Sequence, residues 1–151
     1  MKIISDSIHY TPVWVHAHKL ELYWRREESL YLEKWVGPPR DFWFQMGVAE
    51  KRKAFRAGLA CLDTSRYGEH VIGFTNGRHR TRWLLSRGLT EIPICIPWEQ
   101  IYEWKNLGLT TEFPRPMLLN RRRLGFGLYA DGLHRVNSYE SEGTDDITQW
   151  D

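Results

Sequence analysis

The chain has 151 residues, of which 42% are hydrophobic and 26% charged, and its formal net charge is +2. This length predicts one domain with a proper core, because it is too short for two domains of ordinary size. The composition excludes a disordered protein, and the small net charge argues against a protein that simply coats nucleic acid.

The sequence contains no predicted membrane segment. No apolar run is long enough to span a bilayer, and the first residues lack the charged and then apolar regions of a signal peptide. We therefore expect a cytoplasmic protein with no membrane insertion. Cys61 and Cys95 fit that compartment, because neither belongs to a CxxC pair or a histidine cluster. Each is predicted to be a small buried residue, and no metal site is predicted.

The first predicted elements are strands followed by a short helix. Residues 8–24 are rich in β-branched and aromatic types and predict one or two strands, with Pro12 at a strand start or on an edge. Residues 27–35 predict a short helix, which ends at the glycine and two prolines of 37–39.

A strand and a longer helix are predicted next. Residues 41–47 predict a strand with a turn at Gly47. Residues 49–62 place Ala54, Leu59 and Leu62 at helical offsets and predict a helix.

A strand and a helix are predicted over residues 70–88. A short apolar strand is predicted from His70 to Phe74, followed by a helix that begins after Asn76 as N-cap and ends at Gly88.

The remaining elements complete an α+β fold. A strand is predicted over 91–97, a helix over 98–108, and a hairpin over 123–139 that turns at an Asp-Gly pair. The acidic residues 140–151 are predicted to be a poorly ordered tail, so the domain is predicted to cover 1–139. The expected architecture is a small mixed sheet flanked by helices, with a C-terminal β-hairpin.

The predicted helix after Asn76 begins in a cluster of cationic side chains. At 100° per residue, Thr81 and the two leucines after Trp83 fall on one side, while Arg78, His79, Arg82 and Trp83 fall on the other. We expect the leucine side to pack on the sheet and the arginine side to be exposed. Cationic groups at a helix N-terminus oppose the helix dipole unless an anion binds there. A strand, a glycine turn and an arginine-rich helix start therefore predict a phosphate site.

Residues 70–97, "HVIGFTNGRHRTRWLLSRGLTEIPICIP", resemble the nucleotide-binding core of the ParB/sulfiredoxin superfamily. Within it, the "GRHR" motif and the upstream "FWFQMG" are most similar to plasmid fertility-inhibition factors of the FiwA/Osa type. Those proteins block transfer of competing DNA through type IV secretion machinery. The similarity is close over about 30 residues and extends loosely from Asp41; the first 40 residues and the tail add nothing to it.

Departures from the superfamily pattern narrow the functions that the resemblance implies. Arg78 stands where sulfiredoxins have their catalytic cysteine and where ParB clamps have an acidic residue. Sulfinic-acid reduction is thereby excluded, and with no helix-turn-helix segment chromosome partition is disfavoured. Asn76 stands where fertility-inhibition factors often have an acid, which weakens the case for a metal-assisted reaction.

The resemblance also implies roles for individual residues. Gly77 lets a phosphate approach the backbone beside Asn76, Arg78 and Arg80 are charge partners of the phosphates, and His79 is a hydrogen-bond donor or proton shuttle. Arg82 joins this set by its helical position. ATP with Mg²⁺ is the implied cofactor, and hydrolysis of ATP or DNA the implied activity.

A catalytic acid, if the protein is a hydrolase, must come from outside the motif. Asp63 and Glu69 are nearest in sequence, although either is equally explained as a surface charge or a cap.

Three other features of the sequence have alternative explanations. The basic run "KRKAFR" at 51–56 is a second wall of the anion site or a solvated helix face, and "RRR" at 121–123 is a loop rim or a grip on an acidic partner. His16 and His18 would share one face of a strand, but no third metal ligand accompanies them.

Two functions from different classes remain open. The first is an enzyme that binds the phosphate of a nucleotide or of DNA at 76–82. The second is a non-catalytic module that docks on the coupling protein of a type IV secretion system. A generic DNA-binding protein is a weaker third alternative, which the near-neutral charge disfavours.

Overall fold

The computed structural model describes residues 1–46 and 52–110, which contain seven strands and three α-helices. In chain order these are β1 (Lys2–Ile4), β2 (Tyr10–His16), α1 (Ala17–Arg25), β3 (Phe44–Met46), β4 (Arg52–Arg56), β5 (Gly58–Thr64), β6 (His70–Asn76), α2 (Arg78–Leu85), β7 (Glu91–Pro97) and α3 (Ile101–Asn106). Short 3-10 turns precede β3 and α3, at Asp41–Trp43 and Trp98–Gln100.

The strands form two mixed sheets. One has the order β1-β4-β3, with β1 and β4 parallel and β3 antiparallel to β4. The other has the order β2-β7-β5-β6, in which only β5 and β7 are parallel. The predicted combination of α and β structure is confirmed, with two mixed sheets in place of the single sheet expected.

The two sheets meet where β4 continues into β5 through the single residue Ala57. The amide of Ala57 donates to the carbonyl of Ile4 at the end of β1, at 3.1 Å. The helix predicted over 49–62 is therefore wrong. Neighbouring residues of these strands, such as Leu59 and Ala60, are both buried. Burial on both faces produces a near-continuous apolar run that does not distinguish a strand from a helix.

The N-terminal predictions are partly wrong. Residues 17–24 form helix α1 and not a second strand, because Leu20 and Trp24 recur at helical spacing and are both buried. Pro12 lies in β2, which is an edge strand as expected. No helix forms over 27–35, where the carboxylate of Glu27 accepts hydrogen bonds from the Ser29 and Leu30 amides and stabilises a turn instead.

The predicted strand over 41–47 is shorter than expected, because a 3-10 turn takes its first three residues and only β3 follows. Gly47, the hairpin over 123–139 and the tail over 140–151 lie outside the described residues.

The predictions for residues 70–108 are confirmed. Strands β6 and β7 and helices α2 and α3 lie where they were expected, and Gly88 and Gly108 follow the two helices with positive φ angles of 72°. Three details differ: β6 extends to Asn76, the first three residues of the helix predicted over 98–108 form a 3-10 turn, and the N-cap of α2 is Gly77 rather than Asn76.

Large aromatic side chains form much of the core. Trp24, Trp43, Trp83 and Trp104 are almost fully buried, whereas Trp98 is exposed. None of the helices in the described ranges has the length and apolar character of a membrane span.

Candidate functional site

The entrance to α2 is built on the turn at Gly77. This residue has φ 86° and ψ 18°, a left-handed conformation that favours glycine, and it redirects the chain from β6 into the helix. Its carbonyl accepts bonds from the amide of Thr81 at 3.0 Å and from the Thr81 hydroxyl at 2.8 Å. The N–H groups of the first turn of α2 have no intrahelical acceptor, so the positive end of the helix dipole is available to an anion.

Gly77 also packs directly against Gly58 at the start of β5. A β-carbon built on Gly77 would lie 2.5 Å from the Gly58 Cα atom and 2.7 Å from the Arg80 Nε atom. Glycine is therefore required at position 77 by space as well as by backbone conformation, and the guanidinium of Arg80 lies directly beneath the turn.

Arg78 and His79 are half-buried at the mouth of this entrance. Arg78 donates to the carbonyl of Leu30 at 3.1 Å, and the His79 ring lies edge-on to Trp35 with 5.8 Å between centroids. The guanidinium of Arg40 stacks over Trp35 at 4.8 Å. Partial burial, and then the charges of Arg78 and Arg40, lower the pKa of His79 from its ordinary value of 6.5.

Arg80 is buried inside the protein, with its side chain only 4% exposed. It donates to the Asp6 carboxylate at 3.0 Å, and the second oxygen of Asp6 accepts from Arg56 at 2.8 Å. Burial lowers the pKa of the Arg80 guanidinium, and the neighbouring Asp6 charge opposes this shift. Arg80 therefore has an internal counterion and does not project from the helix surface.

Arg82 is also buried, so the expected exposed position for this side chain is wrong. It bonds to the Glu21 carboxylate and the Leu32 carbonyl, each at 2.7 Å, and to the Tyr31 hydroxyl at 3.1 Å. Its guanidinium stacks on Trp24 at 4.8 Å. Burial by itself raises the pKa of Glu21, but the bonds from Arg82 and Tyr31 and the Arg82 charge outweigh it and leave that pKa lowered.

The face of α2 predicted to be exposed is covered by the segment leading into β3. Trp83, expected on that face, is fully buried and packs on Trp43 and Phe44 at 5.9 and 6.1 Å between ring centroids. Thr81 and Leu84 are buried on the other side, as predicted. The helical projection assumed that only one face of α2 packs against the protein, whereas both faces of this helix are covered.

The acids proposed from the sequence lie away from the α2 entrance. Asp63 pairs with Val71 across the β5–β6 hairpin, five residues before Asn76, which is about 17 Å along an extended strand. Glu69 lies beyond the same end of β6 and forms a 3.4 Å ion pair with Arg26. The structure therefore does not bring either acid to His79.

Asp63 instead lines a cleft of about 340 Å³ between residues 26–29 and the β5–β6 hairpin. Arg66 and Glu28 also line it and form a 3.6 Å ion pair there. The cleft and the α2 entrance are separate features of the molecule.

Four residues near α2 were not anticipated: Asp6, Glu21, Trp35 and Arg40. The polar run Ser5-Asp6-Ser7 directly after β1 was a local signal for a turn at Asp6, because Ser and Asp are common turn residues, but it did not identify the partner of this side chain. No signal in the sequence links Glu21 to Arg82, which is 61 residues away.

The described residues do not suit a magnesium ion beside a phosphate at α2. Asp6 is the carboxylate bonded to the motif, and each of its oxygens already accepts from a guanidinium. A cation at that position would face two positive charges. No group of three histidine, cysteine or acidic side chains within residues 1–46 and 52–110 could hold a metal. His16 ends β2 and His18 lies in α1, so the shared strand face expected for them is wrong.

A comparison with protein families bears on this same region. Residues 44–100 match the family model of the plasmid fertility inhibition factors. The match runs from β3 to the turn before α3 and includes Gly77 and all of α2. It supports the resemblance to fertility-inhibition factors. No curated protein and no solved structure matches the chain.

Proposed function

We propose that this chain acts as a plasmid fertility inhibition factor, which blocks conjugative transfer of DNA through a type IV secretion system. The observation that carries the proposal is the family match over residues 44–100. The same resemblance is our reason for proposing a ParB/sulfiredoxin-like fold for a single domain over 1–139, acting in the cytoplasm.

The functional site in this proposal is a phosphate site at the entrance to α2. The free N–H groups after Gly77, the Arg78 guanidinium and the His79 ring contact the phosphate, and Asn76 lies at its rim. Arg40 adds a positive charge from the side through its stack on Trp35. Arg80 contributes charge from beneath the turn, and Arg82 fixes the helix through Glu21.

The ligand in this proposal is a nucleotide such as ATP, or a DNA phosphate. Arg78 and the helix dipole bind either one, because both act on the phosphate and not on the base. Because Asp6 is already bonded to two guanidiniums, we assign no reaction step to Mg²⁺.

Binding without hydrolysis is the alternative that the geometry favours over an ATPase or DNase. Asp63 and Glu69 lie at the far end of the β5–β6 hairpin from His79, so neither acid is placed to activate a water at the α2 entrance. The segment that covers α2 also has two exposed apolar side chains: Val36, next to Trp35 in the chain, is 82% exposed, and Phe42, whose ring lies 6.3 Å from Trp43, is 63% exposed. Such side chains support docking on a protein partner, for which we propose the coupling protein.

A mating assay tests the proposed function. Donor cells that express the chain are expected to transfer a mobilisable plasmid less often than control cells, and the Arg78→Ala/His79→Ala variant is expected to restore transfer. Arg66→Ala is the matched control, because Arg66 is 71% exposed and lies at the far cleft. Normal transfer in the presence of well-expressed wild-type protein would contradict the proposal.

A second assay separates hydrolysis from binding. We expect calorimetry to detect ATP binding that the double variant loses, with no release of phosphate and no DNA cleavage. If hydrolysis occurs and Asp63→Asn or Glu69→Gln abolishes it, the catalytic alternative is correct.

A further inference from the structure

Arg56 and Arg80 share one carboxylate beside the entrance to α2. Asp6 gives one oxygen to each guanidinium, at 2.8 Å to Arg56 and 3.0 Å to Arg80. The two arginines come from different elements, the end of β4 and the first turn of α2. Two guanidiniums on one oxyanion is an arrangement that proteins use to bind phosphate.

The charges and donors of this group are not balanced. Two guanidiniums face a single carboxylate, so the group has one excess positive charge. The Nε atom of the buried Arg80 side chain has no hydrogen-bond acceptor among the described residues. An oxyanion with more charge and more oxygen atoms than a carboxylate would satisfy the pair better.

Asp6 is the member of the group that can leave. Arg56 is fixed in the β4 ladder, and Arg80 is fixed in α2. Asp6 lies beyond the last paired residue of β1, in a turn closed by hydrogen bonds between Ser5 and Ser7. Its side chain is 23% exposed and that of Arg56 is 33% exposed, so water reaches both side chains.

The pair is adjacent to the proposed phosphate position. A β-carbon on Gly77 would lie 3.0 Å from the Arg80 Cζ atom, so the guanidinium is directly under the turn that opens α2. Two neighbouring anion positions are therefore present, one at the free N–H groups of α2 and one at the Asp6 carboxylate. Adjacent anion positions fit a ligand with two linked phosphoryl groups.

We propose that Arg56 and Arg80 form a second phosphate subsite, which Asp6 occupies in the absence of ligand and which accepts one phosphoryl group of a pyrophosphate-containing ligand. This inference rests on the proposed phosphate site at α2. It assigns a role to one arginine of the basic run at 51–56 and makes a nucleoside di- or triphosphate, rather than a DNA phosphodiester, the preferred ligand.

Calorimetric titration of inorganic pyrophosphate into the full chain tests the subsite. Asp6→Asn removes the competing charge, and we expect about fivefold tighter binding, the size of effect typical of one partly exposed charge pair. Arg56→Gln removes half of the subsite, and we expect about fivefold weaker binding. Asp63→Asn is the control, because it changes the net charge equally at the far end of the hairpin and should leave the affinity unchanged.

The outcomes separate this inference from the proposed function. If Arg78→Ala abolishes binding but Asp6→Asn does not tighten it beyond Asp63→Asn, the α2 site stands and the subsite is overturned. If Asp6→Asn does not fold, the Arg56→Gln variant tests the subsite. The subsite is supported if this variant loses more affinity for pyrophosphate than for orthophosphate. Equal losses for the two ligands, or no loss, overturn it. If neither the wild type nor any variant binds pyrophosphate, both proposed phosphate sites are overturned.

Discussion

Arg82 in α2 and Glu21 in α1 form an ion pair of 2.7 Å, although 61 residues separate them in the chain. Both side chains are largely buried, with exposures of 9% and 19%. The Arg82 guanidinium also bonds to the Leu32 carbonyl, so one side chain joins α1, α2 and the irregular segment between α1 and β3. The position of the α2 entrance therefore depends on this pair.

We expect Glu21→Gln to lower the free energy of unfolding by about 2 kcal/mol, because it leaves the buried Arg82 charge without a counterion. Urea denaturation measures the change. Glu28→Gln is the matched control, since the Glu28–Arg66 pair is mostly exposed and its loss should cost less than about 0.5 kcal/mol. Equal effects of the two substitutions would show that the buried pair has no special weight.

The same pair predicts a pH dependence of stability. The folded protein holds the pKa of Glu21 below its ordinary value of 4.5, so the unfolded chain binds the proton more readily. The contribution of this group is therefore complete above pH 4.5 and is lost as the pH falls through the lowered pKa. Urea midpoints measured between pH 6 and pH 3 should fall less in Glu21→Gln than in the wild type, whereas parallel curves would exclude this role.

His79 predicts that anion binding becomes tighter as the pH falls, whereas the Glu21 contribution to stability becomes weaker. Partial burial and the charges of Arg78 and Arg40 lower its pKa below 6.5, so the ring is neutral at neutral pH, and a bound anion would favour its protonation. We expect sulfate, whose charge is constant over this range, to bind about three- to tenfold more tightly as the pH falls below 6.5. Calorimetry should show a flat profile for His79→Gln. An unchanged slope in that variant would place the titrating group elsewhere.

Position 77 requires glycine for its backbone conformation and for space, and a comparison with Gly68 separates these two requirements. Gly77→Ala is expected to cost about 2–4 kcal/mol, from the left-handed backbone and from the clash with Gly58. Gly68 has a similar φ of 81° but open space around it, so Gly68→Ala should cost only about 1 kcal/mol. The difference between the two unfolding free energies measures the steric part, and similar values would mean that Gly58 moves aside.

The two thiols should differ in reactivity. Burial raises the pKa of the Cys95 thiol to about 12, and burial and the Asp63 charge raise the pKa of Cys61. We expect a disulfide reagent to label half-buried Cys61 slowly and Cys95 only after unfolding. Mass spectrometry of the labelled peptides identifies the site, and fast labelling of Cys95 in the native protein would contradict the buried position.

Elements with local signals were predictable from the sequence. The turn at Gly77 and the end of the helix at Gly88 require positive φ angles, and a glycine in the sequence is by itself a signal for such a conformation. The burial of Arg80 and Arg82 was not predictable, because it depends on Asp6 and Glu21, 74 and 61 residues away. A run of arginines in a sequence looks the same whether water or a distant carboxylate balances its charge.

The dependence on distant residues also explains which residues of the candidate site could be predicted from the sequence. Arg78 and His79 lie at the α2 mouth where the motif places them, whereas Arg40 reaches it only through its stack on Trp35. That contact depends on the path of the irregular chain between α1 and β3, for which no periodic pattern exists.

The carboxylates that balance Arg80 and Arg82 both come from the first 21 residues, whereas the family match begins at residue 44. Strands β1 and β2, which complete an edge of each sheet, also precede it. The stretch carrying the recognisable motif is therefore not a portable unit. If it were grafted or expressed without the residues that precede it, it would keep every arginine of the motif. It would lose the two carboxylates that allow Arg80 and Arg82 to be buried.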